Sequence, residues 1–307
     1  MTCPARPSDF VLPLASAILS LCSSSPRILR FLVRFSFAPK DLTPNLTIPI
    51  TTHTRMSLTQ HLLALDREGY KRATQSPFLA SAARGDLPKD VLGHWLANDR
   101  LYIHAYIKGT GNLLSFLQLP LSSSSSADVH AVRLLDWSID ALVNVRREEK
   151  FFVDTAKRYG IAVDLPTEGA GQIADTAKVD GLRRFEYLFD EVRTSDNIIL
   201  PWLEAAVLFY GTEKCYLDAW SWAKAQQESG DGSKDTDGGA LRKEFIPNWS
   251  SPEFKAFVDQ LGTIIDEAFA EEIKLHGEGV RAKLTKRAEL KWQEVLAAEE
   301  AFWPALS

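Results

Sequence analysis

The chain has 307 residues, 45% hydrophobic and 24% charged, and its eight Trp and sixteen Phe exclude a mainly disordered protein. Three scattered cysteines, Cys3, Cys22 and Cys215, and the lack of a CxxC pair exclude a disulfide scaffold and the usual thiolate zinc site. A formal charge of −5, from 35 basic and 40 acidic residues, argues against a nucleic-acid partner.

The first 55 residues stand apart. Six basic residues against two acidic ones give them +4, which leaves −9 for residues 56–307. Residues 10–22, FVLPLASAILSLC, form an apolar run of signal-peptide length, too short for a membrane-spanning helix. Behind it, Arg27, Arg30 and Arg34 recur at helical spacing in a serine-containing, acid-poor segment, which is the pattern of a mitochondrial presequence. Three readings stay open: a tail or gene-model extension ahead of a true start at Met56, a presequence, or a secretory signal. Residues 39–54 carry three prolines and read as a linker. The expected location is cytoplasmic, or mitochondrial if the leader is a presequence.

From Ser57 the hydrophobic period is helical almost throughout. Ser57 is the expected N-cap of a first helix, Gly85 closes the short PFLASAARG helix, and Pro88 marks the start of a long helix running through LQL. Ser122–Ser126 reads as a connector. ADVHAV…KRYG forms one long helix or a kinked pair ended at Gly160, with its RREEK run on a solvated face. Residues 162–180 read as loop, and further helices fall at 181–195, 199–226, 251–275 and 279–303. QESGDGSKDTDGG between the latter helices reads as mobile. The body is thus all-α, one domain of about seven or eight helices over residues 56–307.

Polar residues on buried faces carry the chemistry. Trp95, Asp99, Tyr102 and Tyr106 stand at i, i+4, i+7 and i+11, on one stripe of a helix that is apolar on its neighbouring faces as well. A second helix repeats the pattern with Trp202, Phe209, Glu213, Tyr216 and Trp220, and the last with Trp292, Leu296, Glu299, Phe302 and Trp303. Three helices each offering an acid on an apolar face point to a shared hollow with aromatic walls. Such a site suits a flat, amine-bearing small molecule, stacked on rings and held by carboxylates.

At these residues the chain resembles the TenA/PqqC family. PFLASAARGDLPKDVLGHWLANDRLYIHAY is similar to the family's first helical unit, EEAFWP to its E..FW element, and TEKCYLDAW to the helix that carries the nucleophilic cysteine of the TenA thiaminases. The resemblance covers about residues 57–303. It implies the haem-oxygenase-like helical fold and a thiaminase II-like hydrolase acting on thiamine or an aminopyrimidine without a cofactor or metal. By the same resemblance Asp99 and Tyr102 bind the ring and Glu299 moves protons. The family cysteine falls on Thr212, and two family tyrosines fall on Phe185 and Leu261. Glu213 therefore places the chain closer to a Cys-lacking branch. The expected catalytic pair is Glu299 and Glu213, and the expected binding set is Asp99, Tyr102, Tyr216, Phe185, Trp95 and Tyr106. Cys215, about 100° round the helix from Tyr216, is a displaced nucleophile or a buried small hydrophobe.

The competing reading is an inactive or divergent small-molecule binder of the same fold. Metal or haem chemistry finds only the Glu272–His276 spacing, and His61, His94, His104 and His130 are spread over three helices. The resemblance also implies a homo-oligomer. No membrane partner is expected for the body.

Overall fold

The computed structural model describes residues 56–121, 129–194 and 199–306. The leader, with every reading given for it, and the serine connector lie outside the described residues.

Ten α-helices make up most of the described structure: α1 (Leu58–Leu65), α2 (Arg67–Thr74), α3 (Pro77–Arg84), α4 (Lys89–Phe116), α5 (Val129–Tyr159), α6 (Asp180–Asp190), α7 (Leu203–Ala225), α8 (Ile246–Trp249), α9 (Pro252–His276) and α10 (Glu278–Glu300). Local chemistry sets their ends. Ser57 accepts from the Gln60 backbone N–H while the Gln60 side chain accepts from the Ser57 N–H, a reciprocal cap. Ser76 and Ser251 each cap a helix whose first residue is proline. Gly85 ends α3 in the left-handed conformation, φ 82°, which its missing Cβ allows.

The expected helical body is therefore present, and α5 is a single uninterrupted helix of 31 residues. Helices α6 and α10 stop short of the expected ends at 195 and 303. Loop 162–180 includes a minimal antiparallel ladder in which Thr167 faces Ile173.

The glycine-rich stretch read as mobile is instead pinned. Asp237, 1% exposed, accepts from the backbone N–H groups of Gly239 and Leu241 at 2.8 and 2.7 Å. Arg242 pairs with Asp235, and the Thr236 N–H donates to the Gly85 carbonyl. Its composition suggested looseness, but side-chain carboxylates turn back on the loop's own backbone and hold it. Leu241–Phe245 then form a π-helical turn that leads into α8.

Helix α7 runs through the middle of the bundle, against α2, α3, α8, α9 and α10, while α4 packs on α5 and α6. Aromatic rings fill much of the core. Trp95 lies parallel to Trp303 at a ring separation of 5.7 Å and meets Trp220 and Trp249 edge-on. Gly181 lets α6 touch the end of α10: a Cβ there would sit 2.3 Å from the Phe302 nitrogen. This contact fixes the turn of α10 that holds Glu299.

Candidate functional site

Helices α4, α5 and α7 and the α8–α9 junction line a cavity of about 390 Å³. Helix α4 presents Asp99, Tyr102 and Tyr106 to it, and α7 presents Thr212, Glu213 and Tyr216. Five of these six were expected on the two stripes, and Thr212, beside Glu213, joins them. The opposite wall is made by α5 with Arg147, Glu148 and Phe151, and by Asn248, Trp249, Glu253 and Phe254 from α8 and the start of α9.

Of the eight expected site residues, five line this cavity: Asp99, Tyr102, Tyr106, Glu213 and Tyr216. The other three lie in the packing behind them. Trp95 is fully buried among Trp220, Trp249 and Trp303, and Phe185 sits edge-on to Tyr102 at 5.1 Å. Neither offers a surface for a ligand to stack on, so their expected contact is corrected to support of the wall. Their positions on apolar faces are met equally well by core packing. Glu299, 4% exposed, is also behind the wall, yet within electrostatic range of Asp99 and Glu213.

The three acids thus converge on one region, with environments that differ. Burial pushes Asp99 up to about 8; Glu148 and Glu213 add repulsion, and a hydrogen bond with Tyr216 opposes the rise. Glu213 rises to about 7, again through burial, with Glu148 adding to it. The Tyr106 hydroxyl is near enough to favour the charged form of Glu213, although it makes no hydrogen bond of full geometry. Glu299 is also raised well above the ordinary carboxyl range, by burial and then by Asp99 and Glu213.

Thr212, at the position the resemblance gives to a cysteine, is 2% exposed and shares a hydrogen bond with the Tyr102 hydroxyl. Cys215 is fully buried, does not line the cavity, and has its thiol pushed up by burial and by Glu299. It packs as a small hydrophobe. Leu261 is likewise buried away from the cavity.

Glu148 is the residue that sequence reading missed, because RREEK looked like a solvated charge run. Its carboxylate faces the cavity and accepts from the Trp249 indole N–H and, at 2.9 Å, from the Asn248 amide. A signal was there: Ala141, Val145, Glu148 and Phe152 have the same i, i+4, i+7, i+11 spacing as the stripe through Asp99. Within the same run Glu149 does follow the expectation, pairing with Arg146 and His104.

Among the described residues, no group of three or more His, Cys, Asp or Glu is placed to hold a metal ion, and no helix is long and apolar enough to cross a membrane. His61, His94, His104 and His130 each bond a different partner, far apart in the chain. Glu272 and His276 pair with each other along α9.

No family model matches the chain. A curated protein of Fusarium pseudograminearum, named "Probable transcription factor", is 26% identical over 249 residues, 72% of this chain and 47% of its own length. The chain therefore spans about half the length of the curated relative it matches. Solved structures align more fully. A TenA homologue from Pyrococcus furiosus is 22% identical with a TM-score of 0.58, covering 80% of this chain and 98% of that one. Another, from P. horikoshii, is 17% identical with a TM-score of 0.54 over the same shares. A TenA family transcription regulator from Silicibacter is 14% identical with a TM-score of 0.57, covering 80% and 94%. The chain has the haem-oxygenase-like helical fold of the TenA homologues.

Proposed function

We propose that this chain is a TenA-like hydrolase of the Cys-lacking kind, acting on an aminopyrimidine or a related thiamine breakdown product. The observation that carries the reading is a pair of cavity-facing carboxyls, Asp99 and Glu213, held near neutrality at about 8 and about 7 between aromatic walls. A protonated Asp99 donates to a ring nitrogen, and an ionised one accepts from a ring amine. Tyr216, Trp249 and Phe254, with ring separations of 5.5 and 6.3 Å from Tyr216, offer flat faces for the ring.

With Thr212 where a thiolate would stand, hydrolysis runs by acid–base chemistry alone. Ionised Glu213 takes a proton from water as its oxygen bonds to the carbon that carries the leaving amine. The C–N bond breaks with its electron pair on nitrogen, and that nitrogen takes the proton that Glu213 accepted from water, which returns Glu213 to its ionised form. Groups poised near the working pH suit both transfers.

A second reading, a small-molecule binder without turnover, is favoured by the Thr212–Tyr102 hydrogen bond and by the buried, non-lining Phe185 and Leu261. In that form the chain would sense a ligand, which suits the regulatory name of the fungal relative. Calorimetric titration of an aminopyrimidine tests what the two share: wild type binds, and Asp99→Asn binds at least tenfold more weakly. Equal binding by both removes Asp99 from the site, and no binding by wild type removes the reading.

A further inference from the structure

Helix α5 carries two stripes. One, through Leu134, Ser138, Ala141 and Phe152, is buried and packs α5 on α4 and α9. The other, on the far side of the helix, is exposed along its whole length. Val132, Asp136, Ile139, Val143, Arg146 and Lys150 follow alternating steps of four and three residues, the spacing of a coiled-coil seam. Ile139 and Val143 at its middle are 47% and 50% exposed. Branched apolar side chains in one line on a solvent face form a surface that gains by being covered.

The order of the charges on this face says what covers it. Two, five and nine residues to either side of Ala141 stand Ile139 and Val143, Asp136 and Arg146, and Val132 and Lys150. The stripe is therefore complementary to itself read backwards. A second α5 laid antiparallel, about a two-fold axis at the level of Ala141, sets Ile139 against Val143 at the centre. Asp136 then meets Arg146 at both ends, and Val132 lies under the aliphatic stem of Lys150. A parallel pair in register would instead set Asp136 against Asp136 and Arg146 against Arg146.

Both charges are available. Asp136 has no ion-pair partner among the described residues, and Arg146 pairs only with Glu149 on its own helix. Glu149 keeps His104 at 3.0 Å when Arg146 turns outward. Asp140 flanks the axis and faces its own copy at the rim, where salt and water screen the repulsion.

We infer that the outer face of α5 is the interface of a homodimer, an antiparallel helix pair about Ala141 held in register by two Asp136–Arg146 ion pairs. The inference stands on this face alone and does not depend on what the cavity binds. The apolar centre supplies the drive to associate, and the ion pairs choose the direction and register.

Sedimentation velocity of the full chain at micromolar concentration tests it. Wild type runs as a dimer or a multiple of one. Asp136→Arg and Arg146→Asp each set like charges against each other at both ends, and each weakens the dimer at least about tenfold. An equimolar mixture of the two variants pairs opposite charges at both ends and recovers the dimer, which also shows that both variants are folded. Ile139→Arg, at the centre, breaks the dimer by itself. A monomeric wild type, a variant that associates as wild type does, or a mixture that stays dissociated while both variants keep wild-type circular dichroism each overturns the inference.

Discussion

The Tyr102 hydroxyl on α4 and the Thr212 hydroxyl on α7 are hydrogen-bonded to each other across the floor of the cavity. The bond occupies the position at which the resemblance places a nucleophile, and it joins the two helices that carry Asp99 and Glu213. Thr212→Val keeps the shape of the side chain and removes the partner. We expect a loss of about 1–2 kcal/mol in denaturant unfolding, from a half-buried phenol left without its bond. Tyr102→Phe combined with Thr212→Val should restore most of it, since both partners are then apolar.

The buried acids set how stability depends on pH. Asp99 rises from an ordinary carboxyl value of 3.8 to about 8 in the folded chain, and Glu213 from 4.5 to about 7. The folded state therefore binds their protons more tightly than the unfolded state does. Their contribution is most favourable below pH 4 and is lost as pH climbs from there to about 8. Thermal unfolding across that range should show a falling Tm in wild type and a shallower fall in Asp99→Asn. At pH 8 we expect the variant to be more stable by on the order of 2 kcal/mol, since Asn has no charge to bury.

Cys215 should behave as core. Burial and the nearby Glu299 hold its thiol well above the usual range, and none of its surface is exposed. Peptide mapping after iodoacetamide treatment at pH 8 should find Cys215 unmodified in native protein and modified once denaturant is added. Native-state labelling at a rate near that of a free thiol would return it to the list of nucleophiles.

Asp237 ties down a loop that its composition would have left free. Asp237→Ala removes two backbone donors' acceptor at a buried position, and a loss of about 2–3 kcal/mol is expected by urea unfolding. Hydrogen exchange should quicken at Gly239 and Leu241 first. Unchanged protection at those two amides would mean that Arg242–Asp235 holds the loop unaided.

Local signals made most of the helical body legible. The serine caps, the proline starts and the left-handed glycine are short-range chemistry, and the helical period needs only one face to be buried. Asp99, Glu213, Tyr102, Tyr106 and Tyr216 were legible for the same reason, as polar groups breaking into apolar stripes. Trp95 lies on such a stripe too, but a buried stripe has a core side and a cavity side, and periodicity cannot tell them apart; Phe185 was expected only from the resemblance. Glu148 was hidden by its charged neighbours, although its own spacing matched. Asn248 and Trp249 complete the wall only because α8 folds back onto α5, about 100 residues away in the chain. Such long-range closure leaves no periodic trace.

The central claim is that Glu213, poised near neutrality inside the cavity, drives hydrolysis of an aminopyrimidine. Amine release from an aminopyrimidine at pH 7, followed to many turnovers, tests it most directly. Wild type should release amine steadily, and a Glu213→Gln variant should be at least about a hundredfold slower in kcat with KM changed only a few-fold. Wild type that binds the compound but releases no amine, or Glu213→Gln that matches wild type, would contradict it.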